Sequence, residues 1–127
     1  MPRIRGTGSA VTVTTTSETV LATLPGISLT PSQPVDLIAS IDFSTGTGVT
    51  AVTFKIERGT VAGGTAIATV GPIAIAASTR ALFCLCGVDQ QAAEVAGQQY
   101  VITATQAGAT GNGTGNTIVL RGDWGYN

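Results

Sequence analysis

Histidine is absent from this chain of 127 residues. Without histidine, neither a Ser-His-Asp nor a Cys-His catalytic arrangement can form, and the commonest general acid or base at neutral pH is missing. A zinc centre built on histidine ligands is excluded for the same reason. Calcium would need several clustered oxygen ligands, and the sequence has no Asp-rich loop. We therefore expect no metal, no cofactor and no histidine-based catalysis.

Carboxylates are the remaining candidates for catalysis, because two of them can together hydrolyse a glycosidic bond. The sequence has seven: Glu18, Asp36, Asp42, Glu57, Asp89, Glu94 and Asp123. Asp36 and Asp42 share one face of a predicted strand, but six residues of strand separate them by roughly 20 Å. That separation is beyond any two-carboxylate mechanism. We predict that the protein is not an enzyme and has no small-molecule substrate.

Charge is scarce, with six basic and seven acidic residues making up 10% of the chain, whereas soluble domains average about 25%. Affinity for nucleic acid comes chiefly from clustered cations, and these are scattered, so no nucleic-acid partner is expected. No apolar stretch approaches the roughly 20 residues of a membrane-spanning helix. The first nine residues lack the apolar core of a signal peptide. We expect no membrane partner and synthesis in a cytoplasm.

The two cysteines, Cys84 and Cys86, are too few for a disulfide framework. Alternate residues of a strand lie on one face about 7 Å apart, which exceeds the reach of a disulfide. We interpret both as small buried hydrophobes of a core strand. The alternative is half of a metal site that another subunit completes.

Residues that favour strands dominate what is present. Val, Ile and Thr number 43, whereas Leu, Glu, Lys and Met together number 12. Turn signals divide the chain into about eight short segments, and no helix is long enough to connect parallel strands. The sequence therefore predicts an all-β, antiparallel β-sandwich, a jelly roll of about eight strands rather than a seven-stranded immunoglobulin-like domain. We divide it into an N-terminal arm (1–9), the sandwich (10–121) and a C-terminal tail (122–127).

Two of the segments alternate apolar and polar residues most clearly. Residues 35–43 and 50–58 each read as a strand with one buried face, and the short Thr-Gly turn between them predicts that they pair as a hairpin. Residues 87–97 contain the best helix formers in the chain, but too few for more than one turn. We predict a loop there.

The segment 79–86 is apolar on both faces. Leu82, Cys84 and Cys86 fall on one face, and Phe83 and Leu85 fall on the other. In a two-layer sandwich one face of a strand is core, so the second face needs a cover. The expected cover is another copy of the chain.

Three stretches carry a resemblance to a known family. They are Glu18–Leu24 before a proline turn, Phe54–Thr60, and Ala96–Ile102 before a glycine-rich loop. In strand rhythm and turns they resemble the jelly-roll decoration, or cement, proteins of tailed-phage heads. The resemblance covers residues 18–121 and implies a homotrimer that binds the major capsid protein on the outer surface of the head and stabilises the shell. Its location would be the virion.

This resemblance suggests roles for specific residues. We place the trimer interface at Phe83, Cys84, Leu85 and Cys86, and capsid docking at Arg3, Ile4, Arg5 and Trp124. Two alternatives stay open. One is a glycan-binding fibre head or carbohydrate-binding module that stacks sugars on Trp124 and Tyr126. The other is a self-assembling jelly-roll coat protein, against which the low basic content argues.

Overall fold

The structure, a computed structural model, describes residues 3–124 and contains eight β-strands. They are β1 (Arg3–Val13), β2 (Thr19–Leu29), β3 (Pro34–Ser44), β4 (Ala51–Arg58), β5 (Ala66–Ala74), β6 (Arg80–Gln90), β7 (Val95–Ala107) and β8 (Gly113–Trp124). No helix interrupts them in this part of the chain. The prediction of an all-β protein of about eight strands is confirmed.

The strands form two four-stranded sheets, in the orders β1-β8-β3-β6 (sheet A) and β2-β7-β4-β5 (sheet B). All neighbouring strands pair antiparallel. Most consecutive strands lie in different sheets, so the chain repeatedly crosses the sandwich, as in a jelly roll. The predicted jelly-roll β-sandwich is therefore confirmed. The core between the sheets contains Phe43 and Phe54, whose ring centroids lie 5.5 Å apart.

The predicted hairpin of residues 35–43 and 50–58 is wrong, because β3 belongs to sheet A and β4 to sheet B. The connecting loop is anchored at both ends to different strands. Thr45 N donates to Thr79 O just before β6, and Thr50 N donates to Ala107 O at the end of β7. Each strand buries one apolar face, and the two faces meet across the core. Alternation is the same whether two strands pair within a sheet or pack between sheets.

Residues 3–9, which we expected to form an arm, are instead the first half of β1. They pair with β8 from Arg3 opposite Asp123 to Ser9 opposite Thr117. Gly6 also lets β1 lie close to β2, since a Cβ at this position would lie 2.0 Å from the backbone oxygen of Thr23. The edge of sheet A thus touches the edge of sheet B. Residues 122–124, assigned to a tail, complete β8; residues 1–2 and 125–127 lie outside the described range.

The predicted loop at 87–97 is shorter than expected. β6 extends to Gln90 and β7 begins at Val95, which leaves four residues between the strands. β6 is therefore an unbroken strand of 11 residues at one edge of sheet A.

Candidate interaction surface

Strand β6 turns Phe83 and Leu85 toward the core. Leu85 is 8% exposed, and the ring of Phe83 lies 4.8 Å from that of Phe54 on sheet B. Leu85 is therefore covered by its own chain and Phe83 is partly covered, which leaves little of either side chain for the predicted trimer interface. This face of β6 is buried because Phe83 packs on Phe54, which also contacts Phe43, so that the three rings form an aromatic cluster between the sheets.

The opposite face of β6 is exposed and apolar. Leu82 and Val88 are 81% and 60% exposed, and Cys84 and Cys86 are exposed free thiols between them. The interpretation of the cysteines as buried hydrophobes is therefore wrong. We name Leu82, Cys84, Cys86 and Val88 the β6 row. Exposed apolar side chains in a continuous row are unusual on a protein that acts alone.

An open depression of about 580 Å³ lies beside the β6 row on the outer face of sheet A. Its lining residues are Ser40, Ile41, Asp42, Leu82, Phe83, Cys84, Thr117 and Val119. Asp42 is held at the rim by Arg80, with N···O distances of 2.9 and 2.6 Å. The hydrogen bonds from Arg80 lower the pKa of Asp42 below its ordinary value. This carboxylate is an ion-paired surface group.

The other half of the same face, on β1 and β8, carries three arginines. Arg3 pairs with Asp123 through an Nε–Oδ1 contact of 2.7 Å. Arg5 lies directly opposite Arg121, and neither makes an ion pair within residues 3–124. Arg121 was missed in the sequence, although it follows from the alternation of β8 once the register with β1 is known.

The four predicted docking residues do not form one exposed site. Arg3 and Arg5 are exposed on the outer face of sheet A. Ile4 and Trp124 are partly buried and pack against the core, because their positions alternate to the inner face. Ile4 and Trp124 are therefore only partly available for docking, and the docking role of these residues stays a prediction. The proposed stacking of sugars on Trp124 loses support for the same reason, and Tyr126 lies outside the described residues.

Three polar side chains connect the sheets within the sandwich. Asp89 on β6 accepts hydrogen bonds from Arg58 Nε (2.9 Å), Arg58 Nη2 (2.5 Å) and Tyr100 Oη (2.7 Å). Burial by itself would raise the pKa of Asp89, but these donors outweigh it and hold that pKa below its ordinary value. Burial, together with the Asp89 carboxylate, raises the pKa of Tyr100. The cluster is closed and satisfied, so its role is structural.

A third carboxylate with a shifted pKa, Glu57, lies on the outer face of sheet B. Burial, and then the neighbouring Glu18, raise the pKa of Glu57, while its hydrogen bond from Gly63 N (3.1 Å) and nearby Lys55 lower it. Glu57 is 2% exposed, so no substrate reaches it. The Glu18 carboxylate in turn accepts a hydrogen bond of 2.7 Å from Thr103.

The described residues contain neither a metal-binding cluster nor a membrane-spanning helix. Among residues 3–124 no group of three or more Cys, Asp or Glu side chains is placed to hold a metal ion. The same residues include no helix of the length and hydropathy that crossing a membrane requires.

No protein-family model matches the sequence, and a search of curated proteins finds no match. Solved structures do share the fold. A D431N mutant of VP2 protein of infectious bursal disease virus, from derived T=1 particles, aligns with 98% of this chain and 32% of its own at 11% identity and a TM-score of 0.66. A chain from the structure of the infectious bursal disease virus Gx strain aligns with 99% of this chain and 33% of its own at 13% identity and a TM-score of 0.63.

The third comparison is with a protein of similar size. Eiger TNF from S. frugiperda aligns with 100% of this chain and 96% of its own at 8% identity and a TM-score of 0.55. At such identities the comparisons establish a shared jelly-roll fold. This chain spans about a third of the length of the viral chains that it matches.

Proposed function

We propose that this protein is a virion structural protein, a decoration protein that binds the outer surface of a tailed-phage head as a trimer and stabilises the shell. One observation supports the virion structural role: almost the whole chain superposes on a jelly roll of VP2, a protein whose structures include derived T=1 particles and a subviral particle. The phage head, its major capsid protein as partner and the trimer come from the resemblance in strand rhythm and turns.

The surface chemistry supports an assembled working state. A chain with 10% charged residues presents mostly neutral groups, which pack against a lattice without the desolvation cost of buried ions. The β6 row adds exposed apolar area that contact with another protein would cover. A protein that binds only the assembled shell stabilises it by mass action, and no active site is needed.

In this proposal two surfaces make different contacts, one with other copies of the chain and one with the coat. We assign the exposed β6 row, rather than the inward-facing Phe83 and Leu85, to contact between neighbouring copies on the shell. We assign Arg3, Arg5 and Arg121 to docking on an acidic region of the coat. Arg5 and Arg121 are like charges placed opposite one another, which is unfavourable unless an anion joins them.

Binding to purified heads tests the docking role. Arg5→Ala is expected to weaken binding, and the loss should shrink at high salt because salt screens exposed charges. Ser9→Ala on the same strand and face is the matched control and should bind as wild type does. Light scattering at micromolar concentration tests the oligomer. Equal binding by both variants would refute docking through Arg5, and a monomer would refute the trimer.

A second candidate function, a self-assembling jelly-roll coat subunit, is favoured by the same similarity to particle-forming VP2. Electron microscopy of the purified protein separates the two. Closed shells formed by the protein alone would support the coat subunit. Discrete oligomers that bind preformed heads would support decoration.

A further inference from the structure

Strand β6 has one unpaired side. It pairs with β3 along its whole length, from Arg80 opposite Ser44 to Gln90 opposite Pro34, without a register shift. It is the last strand of sheet A, so within the described chain no strand pairs with its other side. Proteins normally protect such an edge with a bulge, proline, lysine or a short strand. β6 has no bulge, proline or lysine over its 11 residues, and its two charged residues, Arg80 and the inward-pointing Asp89, are each ion-paired within their own chain.

The sequence of β6 is self-complementary about its middle residue, Leu85. An antiparallel copy related by a two-fold axis perpendicular to the sheet, with full overlap, places residues whose numbers add to 170 opposite one another. On the exposed face this sets Leu82 opposite Val88 of the second copy. It also sets Cys84 opposite Cys86 of the second copy. The whole β6 row then meets apolar partners.

The inner face and the ends of the strand are compatible with the same register. Phe83 lies opposite Gly87 of the second copy, and each is already packed within its own chain, the Phe83 ring on Phe54 and Gly87 against Ala68 of β5. Arg80 lies opposite Gln90, so the register sets no like charges opposite one another. Asp89 is already neutralised by Arg58 within its own chain.

We propose that β6 pairs with β6 of a second copy of this chain about a two-fold axis at Leu85, which joins two A sheets into one of eight strands. The proposal does not depend on the phage-head function. In a trimeric decoration protein this contact would join neighbouring trimers, rather than lie at the three-fold axis.

The register has a chemical signature. Directly opposed residues of antiparallel strands have Cβ atoms about 4.5–5.5 Å apart, and their Cα separation lies in the range that a disulfide spans. Cys84 of one copy and Cys86 of the other are therefore within bonding reach. Diamide removes two electrons and two protons from each such pair of thiols and becomes the hydrazine, as the Sγ–Sγ bond forms.

Oxidation of the purified protein with diamide tests the pairing. Wild type is expected to give a disulfide-linked dimer on a non-reducing gel. Cys84→Ser alone and Cys86→Ser alone should each form no linked dimer, because the remaining cysteine of one copy then lies opposite a serine of the other. A mixture of the two variants, one isotopically labelled, should regain the linked dimer only between unlike chains. Linkage within either single variant, or no linkage in wild type, would overturn the proposal.

A variant that keeps both cysteines tests the contact without oxidation. Val88→Lys puts a charge into the β6 row opposite Leu82 of the second copy and should prevent the pairing and slow the disulfide. Val61→Lys, at another exposed valine (69% exposed), is the matched control and should behave as wild type. Unchanged linkage in Val88→Lys would contradict the register. A linked dimer that does not bind heads would refute the proposed function alone.

Discussion

The Tyr100 hydroxyl donates a hydrogen bond of 2.7 Å to the Asp89 carboxylate, from sheet B to sheet A. Arg58 on β4 binds the same carboxylate through two nitrogens. The charge on Asp89, only 3% exposed, is thus compensated from two neighbouring strands of the other sheet. Because β6 is an edge strand, this cluster fixes it to sheet B near its C-terminal end.

Removal of the Tyr100 hydroxyl should destabilise the protein. A hydrogen bond to a charged group contributes about 1.5–3 kcal/mol, so Tyr100→Phe is expected to lower the free energy of unfolding in urea by about that amount. In an Asp89→Asn background the same change should cost less, because the charged acceptor is gone. An equal cost in both backgrounds would show that the loss does not involve Asp89.

Glu57→Gln should stabilise the protein at neutral pH. The pKa of Glu57 is raised above the 4.5 of the free side chain, so the folded state holds its proton more tightly than the unfolded state does. That contribution is present below about pH 4.5 and is lost as pH rises through the folded pKa. The variant should therefore unfold at higher urea than wild type at pH 7, with the difference shrinking toward pH 4. Glu94→Gln, at an exposed site, controls for net charge and should show no such pH trend.

Gly6→Ala should be strongly destabilising. Its Cβ would meet the Thr23 backbone oxygen at 2.0 Å, and a backbone atom cannot rotate away. Forced overpacking costs about 1–3 kcal/mol, and sometimes more, and we expect thermal unfolding to show a loss at or above this range. Thr7→Ala, exposed on the same strand, should change stability by less than about 0.5 kcal/mol. Similar losses in both would place the strain elsewhere than at the contact of β1 with β2.

Gln106→Leu should loosen the loops at one end of the sandwich. Gln106 is fully buried; its Oε1 accepts from Gly46 N at 2.6 Å, and its Nε2 donates to Thr15 O and Gly111 O. Leucine of similar size leaves these groups unsatisfied, at a cost of about 1–3 kcal/mol. Gln90→Leu removes an exposed hydrogen bond to Ser32 O and should cost much less, since water replaces it. Proteolysis of the loops and urea unfolding measure the difference. Equal costs would contradict the role of burial.

Strand positions were largely predictable, whereas pairing was not. β3 and β4 were predictable from the sequence because both alternate apolar and polar residues with period two. Each of their predicted ends lies within one residue of the end in the structure. Their predicted hairpin failed because alternation specifies which face of a strand is buried, not what buries it. The pairing of Arg3–Ser9 with β8 was missed because it joins the two ends of the described chain and leaves no local pattern in the sequence.

The sequence by itself determined an all-β chain, the absence of histidine chemistry, and a strand at 79–86 with two apolar faces. Only the tertiary structure decided which face of β6 is core. Phe54 of sheet B lies across from Phe83, so Phe83 and Leu85 turn inward, and the β6 row with both cysteines is left exposed. The physical reason is that burial depends on what the opposite sheet presents, and that is a property of the whole fold rather than of one strand.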